Sequence, residues 1–130
     1  MNEVIEFLND CGVFFLATVD GNQPKVRPYG FVMDYDGKLC LCTNNKKPSY
    51  AQMKANPAVE ISATKDGKWV RLQGNAVFCT TPESQAKALE AMPGLAGMYA
   101  VGDGLFEIFA IENGVADFCS MAGDNHQVIL

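Results

Sequence analysis

Three short stretches carry the residue types from which anion and ring binding can be built. They are Arg27-Pro28, the run Thr43-Asn44-Asn45-Lys46-Lys47, and Lys68-Trp69-Val70-Arg71. A proline inside a strand cannot donate to the ladder, so Pro28 marks an edge, a bulge or a place where a ligand comes close. Arg27 beside it is either a solvated edge residue or a ligand contact. The basic pair Lys46-Lys47 lies between a strand and a helix start, where free amides favour anions and a threonine hydroxyl could complete a phosphate cradle. The same pair also suits an ordinary solvated loop, and without glycines it is no Walker loop. Strand alternation puts Trp69, Arg71 and Gln73 on one face. Trp69 and Arg71 there either pack as a cation–π pair or border a flat aromatic ligand.

The charge distribution draws these stretches together. Nine of the ten lysines and arginines lie between Lys25 and Arg71, with only Asp34, Asp36, Glu60 and Asp66 to offset them. The net charge of the chain is nevertheless −5. A basic middle in an acidic protein suits one small anion and argues against general nucleic-acid binding, which needs a broadly basic surface. No apolar run is long enough to span a bilayer, so no membrane partner is expected. Met1-Asn2-Glu3 lacks the basic start of a signal peptide. The cysteines at 11, 40, 42, 79 and 119 are odd in number and form no CxxC, which points to neither a disulfide framework nor a zinc site. Cys40 and Cys42, two apart, read as small core residues on one strand face. A reducing cytoplasm is the expected compartment. His126 is the sole histidine, so a histidine triad and a multi-histidine metal site are excluded. With no catalytic side chain to name, a bound cofactor is the expected source of chemistry.

At 130 residues the chain is expected to be one domain, 1–130. Helical spacing of Val4, Leu8 and Cys11 predicts a helix over 3–11. Strands are expected over 13–19, 25–33, 38–43, 58–64, 68–79, 105–111 and 115–119, with turns at the Asp-Gly pairs and at Glu112-Asn113-Gly114. The second of these would put Lys25, Arg27, Tyr29 and Phe31 on one face. Ser49 and Gln52 have capping-box spacing, and that helix should end before Pro57. Thr81-Pro82 opens another helix, running to about Met92. Residues 120–130 lack a clear period and are read as a mobile tail. The fold class is therefore mainly β, a six- to seven-stranded antiparallel barrel with short helices at its ends or across it, since closure removes exposed edges.

From Val13 to about Cys119 the chain resembles the FMN-binding split-barrel family typified by pyridoxamine 5′-phosphate oxidase. The likeness rests on FFLATVDGNQPKVRPYGFV, LCLCTNNKKPSYAQMKANPAVEIS and WVRLQGNAVF. It implies that Arg27 and Pro28 face FMN, that Thr43, Asn44, Lys46 and Lys47 bind the ring edge and phosphate, and that Trp69 and Arg71 add a further contact. Trp69 stands where the oxidase has glutamine. Arg27 or Arg71 would stabilise the anionic reduced ring. The resemblance also implies a homodimer with sites shared across its interface, for which Leu95, Met98, Tyr99 and Phe118 are candidate residues.

No arginine- and histidine-bearing segment like the oxidase's C-terminal one is present, so vitamin B6 oxidation is not expected. The chain is closer to the small flavoproteins called nitroimidazole-resistance or general stress proteins. Similar barrels hold haem or a deazaflavin, and the lack of a histidine before position 126 disfavours haem. The implied function is an FMN-dependent oxidoreductase passing electrons from a reduced nicotinamide or another donor to a small electron-poor substrate. The alternatives are a non-catalytic flavin-binding or sensing module and a dimeric barrel without cofactor.

Overall fold

Along β1 (Phe14–Asp20) every second side chain is buried, Phe14, Leu16 and Thr18, as expected of a strand with one face on a core. The same alternation runs through β5 (Ala58–Lys65) and β6 (Lys68–Phe78), where Val59, Ile61, Ala63, Val70 and Leu72 point inward. The computed structural model describes residues 1–130. Besides these strands it contains α1 (Asn2–Cys11), β2 (Gln23–Tyr29), β3 (Met33–Tyr35), β4 (Lys38–Asn44), α2 (Pro48–Ala55), α3 (Pro82–Ala91), a 3₁₀ turn over Pro93–Gly97, β7 (Phe106–Ser120) and β8 (His126–Ile129). All strand pairs are antiparallel. The sheet has eight strands in the order β2-β1-β5-β6-β7-β4-β3, and β8 adds to β7.

The sheet curls around one apolar core that takes Phe14 and Leu16 from β1, Leu39 and Leu41 from β4, and Phe109 from β7. Helix α1 closes one end of it with Val4 and Leu8, both fully buried. A second cluster, with Cys40, Phe106, Ile108 and Ala110, lies on the opposite face of β4 and β7 beneath Ala88 of α3 and Leu95. β2 and β3, at the two ends of the strand order, do not pair. The barrel is split there, and β2 is an edge strand able to carry Pro24 and Pro28.

Several sequence expectations change. The second strand stops at Tyr29, because Gly30, Phe31 and Val32 leave the sheet before β3 begins. Phe31 therefore joins the second core cluster rather than the face of Arg27. The turn expected at Glu112-Asn113-Gly114 is a bulge within the continuous β7. Gln73 pairs with Val115 and Asn75 with Glu112, leaving two residues opposite Gly74. Asn113 takes φ 54 to make that step, a left-handed conformation asparagine tolerates. A Cβ on Gly74 would fall 2.6 Å from Ile111 Cγ2 and 2.9 Å from the Glu112 carbonyl, so only glycine fits.

The tail is partly ordered into β8, held to Val115–Phe118. Thr81 caps α3 as expected, with Ser84 as its reciprocal partner. The proposed Ser49–Gln52 box does not form. Pro48 takes the first helical position, Lys47 is the N-cap, and no side chain caps the helix.

Candidate functional site

The split in the barrel opens into a cavity of about 400 Å³. Its walls are the end of β2 and the following link (Arg27, Pro28, Tyr29, Gly30, Phe31), the end of β4 (Cys42, Thr43) and the start of α2 (Lys47, Ser49). Met92, Leu95, Met98 and Tyr99, around the 3₁₀ turn, complete it. That volume is within the ~300–1,000 Å³ typical of small-molecule and cofactor sites. Four of the eight residues expected to bind cofactor thus line one cavity: Arg27, Pro28, Thr43 and Lys47.

Arg27 is held by a three-membered polar network. Its Nη1 donates to Thr18 Oγ1 at 2.8 Å and its Nη2 to Gln52 Oε1 at 2.9 Å. Thr18 Oγ1 in turn donates to Gln52 Oε1 at 2.6 Å. The guanidinium is thereby fixed between β1 and α2. Neither it nor Lys47 has a carboxylate partner, since the ion pairs of the chain are Lys38–Glu112, Arg71–Glu60 and His126–Glu3. The cavity wall contains no aspartate, glutamate or histidine at all. Burial pushes the Cys42 thiol up to about 11 against the pull of Lys47, so this wall residue is neutral at physiological pH. Two cations therefore face a space without a compensating negative charge.

Two hydroxyls in the same wall lack partners. Thr43 Oγ1 and Tyr29 Oη are buried and make no hydrogen bond within the protein. A buried polar group left unpaired costs about 1–3 kcal/mol, so both suit a polar ligand that supplies donors or acceptors here. Tyr29 is also packed between the rings of Phe14 and Phe109. A flavin phosphate fits Lys47 and the Ser49 amide, the one free donor at the start of α2 because Pro48 has no N–H and the Tyr50 amide donates to the Lys47 carbonyl, and a polar ring edge fits Thr43. The apolar side chains Met92, Leu95 and Met98 suit a flat ring face.

The loop from β4 to α2 is pinned on both sides. Asn44 Oδ1 accepts from the Lys46 amide at 3.0 Å, and Asn44 Nδ2 donates to Tyr99 Oη at 3.1 Å. Tyr99 stacks on Phe106, with ring centroids 4.6 Å apart. Asn45 Nδ2 donates to the Gly104 carbonyl and to Glu107 Oε2. Asn44 thus spends its amide on holding the loop and the opposite wall, and its side chain does not line the cavity. Lys46 is exposed beside the site and does not line it either.

Trp69 and Arg71 are placed elsewhere. Arg27 sits opposite Leu16, on the inner face of the sheet. Trp69 and Arg71 alternate with buried Val70 and so face outward, three strands away from β2. Arg71 is already engaged by Glu60 at 3.1 Å. Of the expected interface residues, Leu95, Tyr99 and Phe118 are buried within this chain, and Met98 remains exposed.

Sequence reasoning missed Thr18, Tyr29, Gln52 and Tyr99 as parts of the site. Gln52 was visible but fitted a local capping pattern. Its real partners lie 34 and 25 residues away.

Known proteins share this architecture. A family model described as pyridoxamine 5′-phosphate oxidase matches residues 1–114. A NimC/NimA family protein from Clostridium acetobutylicum is 43% identical, with a TM-score of 0.93 over 98% of this chain and 93% of that one. A pyridoxamine 5′-phosphate oxidase-related, FMN binding protein from Nostoc punctiforme shares the fold at 13% identity, with a TM-score of 0.67 over 97% of this chain and 85% of that one. A heme binding protein from Mycobacterium smegmatis shares it at 14% identity, with a TM-score of 0.75 over 96% of this chain and 56% of that one. Among curated proteins no matching relative was found.

Proposed function

The chain belongs to the pyridoxamine 5′-phosphate oxidase family, and from that premise we propose that it binds FMN in the split of the barrel and works as an oxidoreductase on a small electron-poor substrate. One observation carries the reading: the cavity combines two cations without carboxylates, two unpaired buried hydroxyls and an apolar wall. When bound, FMN supplies two-electron transfer between a nicotinamide-type donor and the substrate. Lys47 and the α2 N-terminus hold the phosphate, and Thr43 takes a polar atom of the ring edge. Arg27, oriented by Thr18 and Gln52, provides fixed positive charge near the ring. Met92 and Met98 keep water from its apolar face.

The active unit is a homodimer. The outer face of β1 and β2 exposes Phe15 (48%) and Val26 (67%) next to Pro24 and Pro28, an apolar surface that a second copy can cover. Two-fold packing on this face would let Trp69 and Arg71 of one copy complete the cavity of the other. Complementation tests this. Lys47→Ala and Trp69→Ala homodimers should both bind FMN poorly, whereas a mixed dimer should regain one intact site. Mixed dimers as weak as either parent would refute sharing.

A binding or sensing role without turnover is the second reading, favoured by the absence of any histidine or carboxylate from the cavity wall. Bleaching of the FMN-loaded protein by a reduced nicotinamide, and recovery with a nitroaromatic acceptor, would support the oxidoreductase. No bleaching with any donor would support the sensor.

A further inference from the structure

Arg27 uses one edge of its guanidinium for structure and leaves another free. Nη1 donates to Thr18 Oγ1 at 2.8 Å and Nη2 to Gln52 Oε1 at 2.9 Å. Those two oxygens are themselves 2.6 Å apart, so they meet the guanidinium on the edge between its terminal nitrogens. The other Nη1 proton points back at the backbone, toward the carbonyls of Leu16 at 3.3 Å and Lys25 at 3.4 Å. A guanidinium holds its N–H donors in one rigid plane, with Nη1 on the side of Cδ. What remains is the parallel pair on the opposite side edge, Nε–H and the second Nη2–H.

This side edge is accessible. Nε donates to no protein atom, and the buried unpaired side-chain atoms of the chain are Tyr29 Oη, Thr43 Oγ1 and Asn45 Oδ1. Arg27 lines the cavity, whereas Thr18 and Gln52 do not. The locked edge therefore faces away from the cavity, and the free edge is the polar part of Arg27 left to it. Holding the group in place beforehand also reduces the side-chain freedom lost when a ligand binds.

The surroundings select the ligand. Two parallel N–H donors match the two oxygens of a carboxylate. No carboxylate of the cavity wall competes for them, and the neighbouring wall is apolar, with Phe31, Met92, Leu95 and Met98. We propose that the free edge of Arg27 docks a planar carboxylate, so that the small electron-poor substrate is an aromatic or conjugated acid whose ring lies on that wall. The name substrate rests on the FMN reading above, whereas the carboxylate site does not.

A flavin phosphate shares this chemistry, but it has its own place at Lys47 and Ser49. Gln52, which fixes Arg27, lies almost one helical turn further along α2. The experiment must separate the two anions.

Arg27 and Arg71 are the only arginines, so their Nε–H signals in the NMR spectrum of isotope-labelled apoprotein give a direct reading and an internal control. Sodium benzoate, added at fixed ionic strength, should move the Arg27 signal downfield with saturation. Arg71, whose Nε already donates to Glu60 at 3.1 Å, should move no more than with sodium chloride. Benzamide, the uncharged analogue, should bind at least about tenfold more weakly, as the loss of charge-assisted bonds requires. Arg27→Lys keeps the charge but not the fork, and should weaken benzoate by about tenfold or more, read at the Gly30 and Phe31 amides. If Arg27→Lys does not fold, the comparison of benzoate with benzamide on the wild type decides.

The titration is then repeated on protein saturated with FMN and with riboflavin. Benzoate should still move the Arg27 signal in both. An Arg27 edge occupied by FMN, but not by riboflavin, and closed to benzoate would belong to the flavin phosphate and overturn the proposal. An Arg27 signal that only follows Arg71, or benzamide binding as tightly as benzoate, would overturn it as well. A benzoate shift in a protein that takes up no FMN would uphold the site and remove the flavin reading instead.

Discussion

Arg27 and Gln52 meet at 2.9 Å, joining an edge strand to the helix that begins at the cavity. Gln52 Oε1 accepts from both Arg27 and Thr18, so one amide oxygen orients the guanidinium and docks α2 on β1. Gln52→Leu removes that acceptor and should cost about 1–3 kcal/mol of stability in urea denaturation. Gln52→Glu keeps an acceptor and should preserve stability, yet it neutralises the cavity's charge and should weaken FMN binding. Equal effects of the two variants on stability would contradict this division of roles.

Lys47 and Lys46 are neighbours in sequence but not in role. Only Lys47 lines the cavity. A charge-assisted hydrogen bond is worth about 1.5–3 kcal/mol, so Lys47→Ala should weaken FMN by about tenfold or more. Lys46→Ala should change it less than about threefold, as expected for a screened surface charge. Fluorescence titration at fixed ionic strength measures both. Riboflavin, which lacks the phosphate, should not distinguish Lys47→Ala from wild type.

Of the glycines in the chain, Gly74 leaves the least room for a side chain. In Gly74→Ala the methyl group would meet Ile111 and the Glu112 carbonyl, and backbone cannot rotate away as a flexible side-chain tip can. Overpacking of this kind costs about 1–3 kcal/mol. Chemical denaturation should register a loss in that range. A variant as stable as wild type would mean that the β7 bulge is softer than the geometry implies.

Asp103 organises the segment that follows the cavity wall. Its carboxylate accepts from the amides of Ala100, Leu105 and Phe106, and these bonds hold its pKa below the usual aspartate value. A carboxyl depressed in the folded state contributes stability above its unfolded pKa of about 3.9 and loses it as pH falls through the folded value. Asp103→Asn should therefore melt below wild type at neutral pH. The two melting curves should converge below about pH 4. Parallel curves across that range would rule out Asp103 as the titrating group.

What could be read from the sequence was mostly local. Arg27, Thr43 and Lys47, which line one cavity, stand in the motifs that carry the family resemblance, whereas residue type alone left Arg27 and Lys47 also open to a solvated edge or loop. The Thr81-Pro82 helix start was legible from its own residues. Gln52 was misassigned because capping-box spacing cannot reveal that Pro48 takes the first helical position and moves Ser49 inside the helix. Its contact with Thr18 exists only after β1 and α2 pack. The bulge at Asn113 resembled a turn because Asn-Gly suits both, and only pairing with β6 separates them. β8 is short and lacks clear alternation, being held by β7 rather than by its own pattern. Strand alternation puts Trp69 and Arg71 on one face, but only the pairing of β6 within the sheet shows that this face points outward, three strands from β2.

Binding of FMN is the central claim, and a visible difference-spectrum titration of the apoprotein tests it most directly. The account predicts a saturable change in the flavin bands with one FMN bound per chain, tight enough to survive gel filtration, and lost in Arg27→Ala/Lys47→Ala. Flavin bands that remain those of free FMN at every protein concentration, with all the FMN eluting separately, would contradict it.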